Sequence, residues 1–114
     1  MCAWHSDRMI FICVRFPVKP EHADEWIELT RDFTEATRAE DGNLFFDWSR
    51  SVEDPHEYVL VEGFEDDAAE AHVTSVHFKQ AQADLPQYLA ETPRIRNMQI
   101  EGDHWDRLGE FEVS

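Results

Sequence analysis

An α+β sandwich in the order βαββαβ, with a four-stranded antiparallel sheet and its helices on one face, is the fold class this sequence predicts. Three observations carry the prediction. An apolar, β-branched run near the start is closed by prolines, a long amphipathic stretch follows it, and two alternating runs meet across a turn before a second helical stretch and a last strand. A chain of 114 residues suits one domain, and at that size roughly two thirds of the unfolded surface is buried on folding. With 42% hydrophobic and 12% aromatic residues it has apolar area enough for one core.

The elements follow in order. Met9 to Pro17 (MIFICVRFP) is rich in β-branched and aromatic residues and ends at Pro17 and Pro20, so it reads as a strand. From Glu21 to Glu40 the residues Trp26, Leu29, Thr30, Phe33 and Thr37 recur at helical spacing, with acids largely outside that stripe, which predicts one amphipathic helix. Asp41-Gly42-Asn43 supplies residues that tolerate the left-handed region and end it. Leu44 to Val52 alternates, Glu53-Asp54-Pro55-His56 makes a turn, and Glu57 to Phe64 completes an antiparallel hairpin. Asp66 or Asp67 is placed to cap a short helix through Ala71, with Glu70 closing a capping box from Asp67. A further helix should start at Thr74 or Ser75, break near Asp84 because Pro86 lacks an amide proton, and resume briefly through Ala90. Arg94 to Glu101 is the last strand. This order, joined by short right-handed connections, is the ferredoxin-like sandwich. The domain is expected over residues 9–101, with 1–8 as an N-terminal extension and 102–114 as a tail. Trp105, Leu108 and Phe111 make that tail apolar enough to pack on something, a second subunit being one choice. Apolar groups on both faces of the first and third strands point the same way, to a homodimer.

Twenty-five acids against ten bases give a formal charge of −15, which repels phosphate backbones and anionic headgroups, so no nucleic acid or membrane partner is expected. The apolar run Met9 to Val14 is far short of a bilayer span, and the N-terminus lacks a secretory pattern, so a cytoplasmic location is expected. Cys2 and Cys13 form no CxxC pair and should both be reduced. There is no Gly-rich phosphate loop, dinucleotide fingerprint or GxSxG elbow, so no cofactor is expected and any chemistry must use side chains and substrate.

His72 and His77 stand five positions apart and would be rotated by about 140° on one continuous helix, which argues against a shared metal. By spacing alone they read as structural or surface residues, His77 serving the helix start. A break at Thr74-Ser75 would instead turn both imidazoles inward, where they could move protons. Glu62 interrupts an apolar strand on the face of Tyr58, Leu60 and Phe64; burial would raise its pKa and make it a candidate base, or it is a hydrogen-bonded structural carboxylate. Phe46 and Trp48 either fill the core or wall a planar ligand.

Several of these segments together are familiar. Asp41-Gly42-Asn43-Leu44 before a strand, Tyr58 to Phe64 ending in E-x-F, Asp66-Asp67-x-Ala69, and His72-x-x-Ser75-x-His77-Phe78 resemble the antibiotic biosynthesis monooxygenase family of dimeric ferredoxin-like proteins, over about Met9 to Ile100. The resemblance implies a pocket between sheet and helices in which a small aromatic substrate, a quinol, phenol or anthrone, is oxidised by O2 without metal or organic cofactor. It makes His72 the base with Glu62 beside it, and Phe46, Trp48, Tyr58, Phe64, His77 and Phe78 the substrate-binding groups. Haem-degrading relatives require an Asn on the first strand, a Trp in place of His72 and an axial His in place of Gln82, so haem breakdown is not expected. The branch that isomerises phosphorylated autoinducer-2 carries E-G-N-L-x-F-D and the same spacing of paired histidines, which this chain's D-G-N-L-F-F-D also resembles, so it stays open; its substrate would need Arg15, Arg50, Lys79, Arg94 or Arg96 near the pocket. A non-catalytic binder of a planar metabolite is the third reading.

Overall fold

The computed structural model describes residues 8–114. The expected N-terminal extension, apart from Arg8, and the redox state of Cys2 lie outside the described residues. Four strands, β1 (Arg8–Pro17), β2 (Asn43–Arg50), β3 (Glu57–Glu65) and β4 (Arg94–Glu101), form one antiparallel sheet in the order β2-β3-β1-β4. This is the ferredoxin-like α+β sandwich. β1 lies inside the sheet, with Val14 opposite Leu60 on one side and Ile95 on the other.

The even-numbered residues of β1, β2 and β3 face the helices, as the period of two requires. Val14, Phe46 and Leu60 form one buried cluster; Val18, Ala23, Trp26, Tyr58 and Leu85 form a second. Each large apolar side chain withdrawn from water in this way contributes about 1.5–3 kcal/mol. Tyr58 spans the layers and donates its hydroxyl to the Ala23 carbonyl at 2.7 Å.

The expected single helix over 21–40 is three pieces: a 3₁₀ segment (Pro20–Glu25), α1 (Trp26–Leu29) and α2 (Arg31–Arg38). The break falls at Thr30, whose hydroxyl donates to the Trp26 carbonyl at 2.9 Å and competes with the helical ladder. The same device ends α3 (Ala69–Val73), where the Thr74 hydroxyl donates to the Glu70 carbonyl at 2.8 Å. The capping box expected from Asp67 and Glu70 is not formed; Ala68 occupies the N-cap of α3 and no side chain caps it. Ser75 caps α4 (Val76–Asp84) by accepting the Phe78 amide. Pro86 stops α4 as expected, and one 3₁₀ turn (Leu85–Tyr88) follows.

Gly42 corrects another expectation, since its φ is not positive. A Cβ there would stand 2.1 Å from the Cβ of Ala68, so glycine is required by close approach of two segments, not by turn geometry. Beside it, Asn43 donates its amide to the carbonyls of Phe45 and Gly63, bridging a bulge that leaves Leu44 without a register partner.

The other sheet face carries no helix. On it the Phe45 ring lies over Gly63, where a Cβ would come within 2.4 Å, and Trp105 of the tail packs against Phe45 and Phe11 at centroid distances of 5.1 and 6.5 Å. Leu108, Phe111 and Val113 remain exposed. No helix among the described residues is long and apolar enough to cross a membrane.

Candidate active site

The two broken helical stretches and the sheet flank the candidate site, which is half open to solvent. Between them lies a cavity of about 310 Å3, at the lower end of the range that takes small molecules. Val14, Phe16, Phe33, Leu60, Phe78 and Leu85 contribute to its largely apolar wall, which carries three polar side chains, Glu62, His72 and Gln82.

Glu62 faces the helices because it shares the parity of Leu60 and Phe64 on β3. It is buried, and its Oε1 has no hydrogen-bond partner. Burial pushes this carboxyl up to about 7, and the nearby Glu40 carboxylate adds to the effect.

His72, on α3, is 4% exposed and walled by aromatic rings, with centroids of Phe64, Phe78 and Phe33 at 4.7, 5.0 and 5.9 Å. Its Nδ1 is 2.8 Å from Oε2 of Glu40, in the residues that follow α2. A carboxylate only accepts, so Nδ1 carries the proton of the neutral ring and Nε2 keeps its lone pair, a tautomer assigned from the hydrogen-bond pattern. Nε2 lies on the Glu62 side, 3.9 Å from Oε1, too far for a hydrogen bond. The arrangement gives a residue of the cavity wall an accepting nitrogen, its ring fixed by a carboxylate, the geometry of dyads in which an acid orients a histidine.

His77 does not serve the helix start, which Ser75 caps. Its Nε2 reaches the same Glu40 oxygen. The break at Thr74-Ser75 brings this about, and the 140° separation of a continuous helix no longer applies. One ligating atom from each of Glu40, His72 and His77 lies within 4.8 Å of the others, a donor set able to hold a divalent metal.

Glu62, His72 and Phe78 therefore meet at the cavity. The other expected substrate-binding groups do not line it. Phe46, Phe64 and Tyr58 are core residues with at most 4% exposure, Trp48 donates its indole N–H to Thr34 at 2.9 Å beside a separate groove, and His77 faces another groove between α2 and α4. Sequence reading missed Phe33, which stands beside His72, His77 and Phe78, and Glu40. Helical periodicity had already placed Phe33 inward. Glu40 gave no signal, being one acid among 25.

None of the five cations considered for a phosphorylated substrate lines the cavity. Arg15 is paired with Glu57 at 2.9 Å, Arg50 with Asp24 at 2.9 Å, Lys79 is exposed, and Arg94 and Arg96 border a different groove with Cys13, a free thiol.

A family model described as antibiotic biosynthesis monooxygenase matches residues 9–84. YcnE of Bacillus subtilis (strain 168), provisionally named a monooxygenase, is 31% identical over 72 residues, which span 62% of this chain and 76% of YcnE. Among solved structures, a conserved protein from Methanosarcina mazei Go1 superposes with a TM-score of 0.76 at 25% identity, covering 83% of this chain and 95% of that one. A provisionally named antibiotic biosynthesis monooxygenase from Nitrosomonas europaea superposes with a TM-score of 0.73 at 27% identity, covering 82% and 89%. With the family model spanning well over half of its length, this chain belongs to the antibiotic biosynthesis monooxygenase family.

Proposed function

We propose that this chain is a cofactor-independent monooxygenase that oxidises an electron-rich aromatic of the quinol, phenol or anthrone type with O2. The supporting observation is His72 in the wall of an apolar cavity with its Nδ1 held by Glu40, which leaves Nε2 as the accepting nitrogen. His72 removes the acidic proton of the bound aromatic. The resulting anion gives one electron to O2, and the aromatic radical and superoxide combine to form a carbon–oxygen bond. The proton held by His72 goes to the peroxide, which loses water and leaves a carbonyl. One O2 is consumed: one oxygen atom enters product and the other leaves as water. The cavity contributes orientation and the exclusion of solvent.

The phosphorylated-carbonyl isomerase reading is disfavoured because the cavity wall has no Arg or Lys to receive a phosphate. A homodimer through the open sheet face is part of the proposal, supported by Phe11, Phe45, Val59, Val61 and the half-exposed Met98 on that side.

The test is a panel of hydroquinones and anthrones in an oxygen electrode. Saturable uptake is expected, and His72→Ala should lower it by about 10²–10⁴-fold, the usual worth of a general base. Stoichiometric binding without uptake would make the protein a carrier. Unchanged uptake in His72→Ala would remove the base assignment.

A further inference from the structure

We infer that Glu40, His72 and His77 form a binding site for a divalent transition metal of the zinc class, and that its occupation switches off the His72 base. The three ligating atoms lie within 4.8 Å of one another. Two imidazoles and one carboxylate are the set that holds zinc with a fourth position left to water. Bonds of 2.0–2.1 Å at tetrahedral angles put such atoms roughly 3.3 Å apart. Both imidazoles now touch the same Oε2 of Glu40, His72 Nδ1 at 2.8 Å and His77 Nε2 closer still, so admitting the ion asks both nitrogens to back off that oxygen, by about half an ångström for His72.

The surroundings fit. A ligating imidazole donates its remaining N–H to a carboxylate behind it. If His72 binds through Nδ1, its Nε2 becomes that donor. The group 3.9 Å from Nε2 is Oε1 of Glu62, a buried oxygen that has no partner otherwise. With the proton on Nε2 and the ring drawn off Glu40 toward Glu62, that oxygen gains a donor facing it, which it lacks at 3.9 Å in the metal-free protein. Phe33 flanks both imidazoles at 5.9 and 6.2 Å and closes one side against water, while the His77 side chain is 25% exposed and offers a way in. The three ligands come from the segment after α2, from α3 and from α4, so the ion ties the two helical stretches together.

The consequence for the proposed reaction is direct. Metal on Nδ1 places the proton on Nε2, and a protonated Nε2 cannot take a proton from the substrate. Binding does not depend on the oxidation reading; only this inhibition does.

The test uses the untagged 114-residue chain. Zn(II) titration in competition with a chromogenic chelator should show one site per chain. His77→Ala and Glu40→Ala should each lower its affinity by at least about 10-fold, and Glu62→Met, which removes the acceptor behind His72, by about 10-fold. Co(II) in the wild-type protein should give the visible bands of a four-coordinate N,O site without thiolate charge transfer, a readout that needs no variant to fold. Absence of a stoichiometric site, Co(II) bands of a six-coordinate ion, or affinity unchanged in folded His77→Ala would overturn the site. If oxygen uptake exists, Zn(II) should suppress it and a chelator restore it. Suppression absent at saturating Zn(II) would overturn the switch.

Discussion

Glu40 and His72 are separated by 32 residues in the chain, yet Oε2 of one sits 2.8 Å from Nδ1 of the other. The contact decides which imidazole nitrogen is free. On the proposed reading, in which His72 takes the substrate proton, the carboxylate behind the ring also stabilises the resulting imidazolium. Glu40→Gln keeps a hydrogen-bond partner but loses that charge, and its amide can donate to Nδ1 and enforce the wrong tautomer. The expected result is a fall in kcat of about 10²-fold or more with KM little changed, checked by steady-state oxygen uptake.

Glu62 makes stability depend on pH. Its carboxyl is raised from 4.5 to about 7 in the folded protein, so the folded state holds the proton more tightly than the unfolded state. Below pH 4.5 both states are protonated and folding has no cost from this group. As pH rises from 4.5 to about 7 the unfolded state loses this proton before the folded state does, and stability falls by up to about 3 kcal/mol, levelling off above that range. Glu62→Gln, uncharged at every pH, should therefore melt above the wild type at pH 8, with the gap closing near pH 4. Parallel melting curves at the two pH values check this, and a gap independent of pH would show that charge is not its cause.

Gly42→Ala should lose about 1–3 kcal/mol, the usual cost of forcing a methyl into occupied space, because the new Cβ would meet that of Ala68 at 2.1 Å. Adding Ala68→Gly should recover much of the loss. Denaturant titration of the two single variants and the double variant gives the coupling, and purely additive losses would mean the two positions do not share the space.

Strand boundaries and the order βαββαβ were legible in the chain because alternation and proline punctuation act locally. β4 begins and ends at the predicted residues, and the stop at Pro86 follows from a missing amide proton. The break at Thr30 was not legible. A threonine in a helical stripe fits the periodicity whether its hydroxyl packs inward or turns back onto the carbonyl of Trp26, and only the packed structure decides. The site divides in the same way. His72 and Glu62 stood out as polar residues in apolar settings, while Phe46, Phe64 and Tyr58 share a sheet face with the cavity but are sealed from it by their neighbours. Glu40 acquires its role only through the turn that returns the chain beside α3, a relation that no window of sequence contains.

The open sheet face leads to a prediction about assembly. Wild-type protein is expected to sediment as a dimer at micromolar concentration, and Val61→Lys, which puts an ammonium group on that face beside Cys13 and Val59, should shift it to monomer. Removing residues 103–114 takes Trp105 off Phe11 and Phe45 and should weaken the dimer more mildly. Sedimentation velocity distinguishes these outcomes, and an unchanged dimer after truncation would deny the tail any part in assembly.

The placement of the Phe45 ring over Gly63 has a consequence for how the hairpin finds its alignment. Sliding the part of β2 beyond the bulge by two residues along β3 would keep its side chains on their proper side, but it would set Asp47 above the bare backbone and leave the benzyl group stranded over a neighbour with a side chain of its own. Such a misthreaded ribbon loses its aromatic lid at once. The pair thus acts as a notch that admits one tooth, and by indexing β2 it also sets where the preceding turn leaves Glu40.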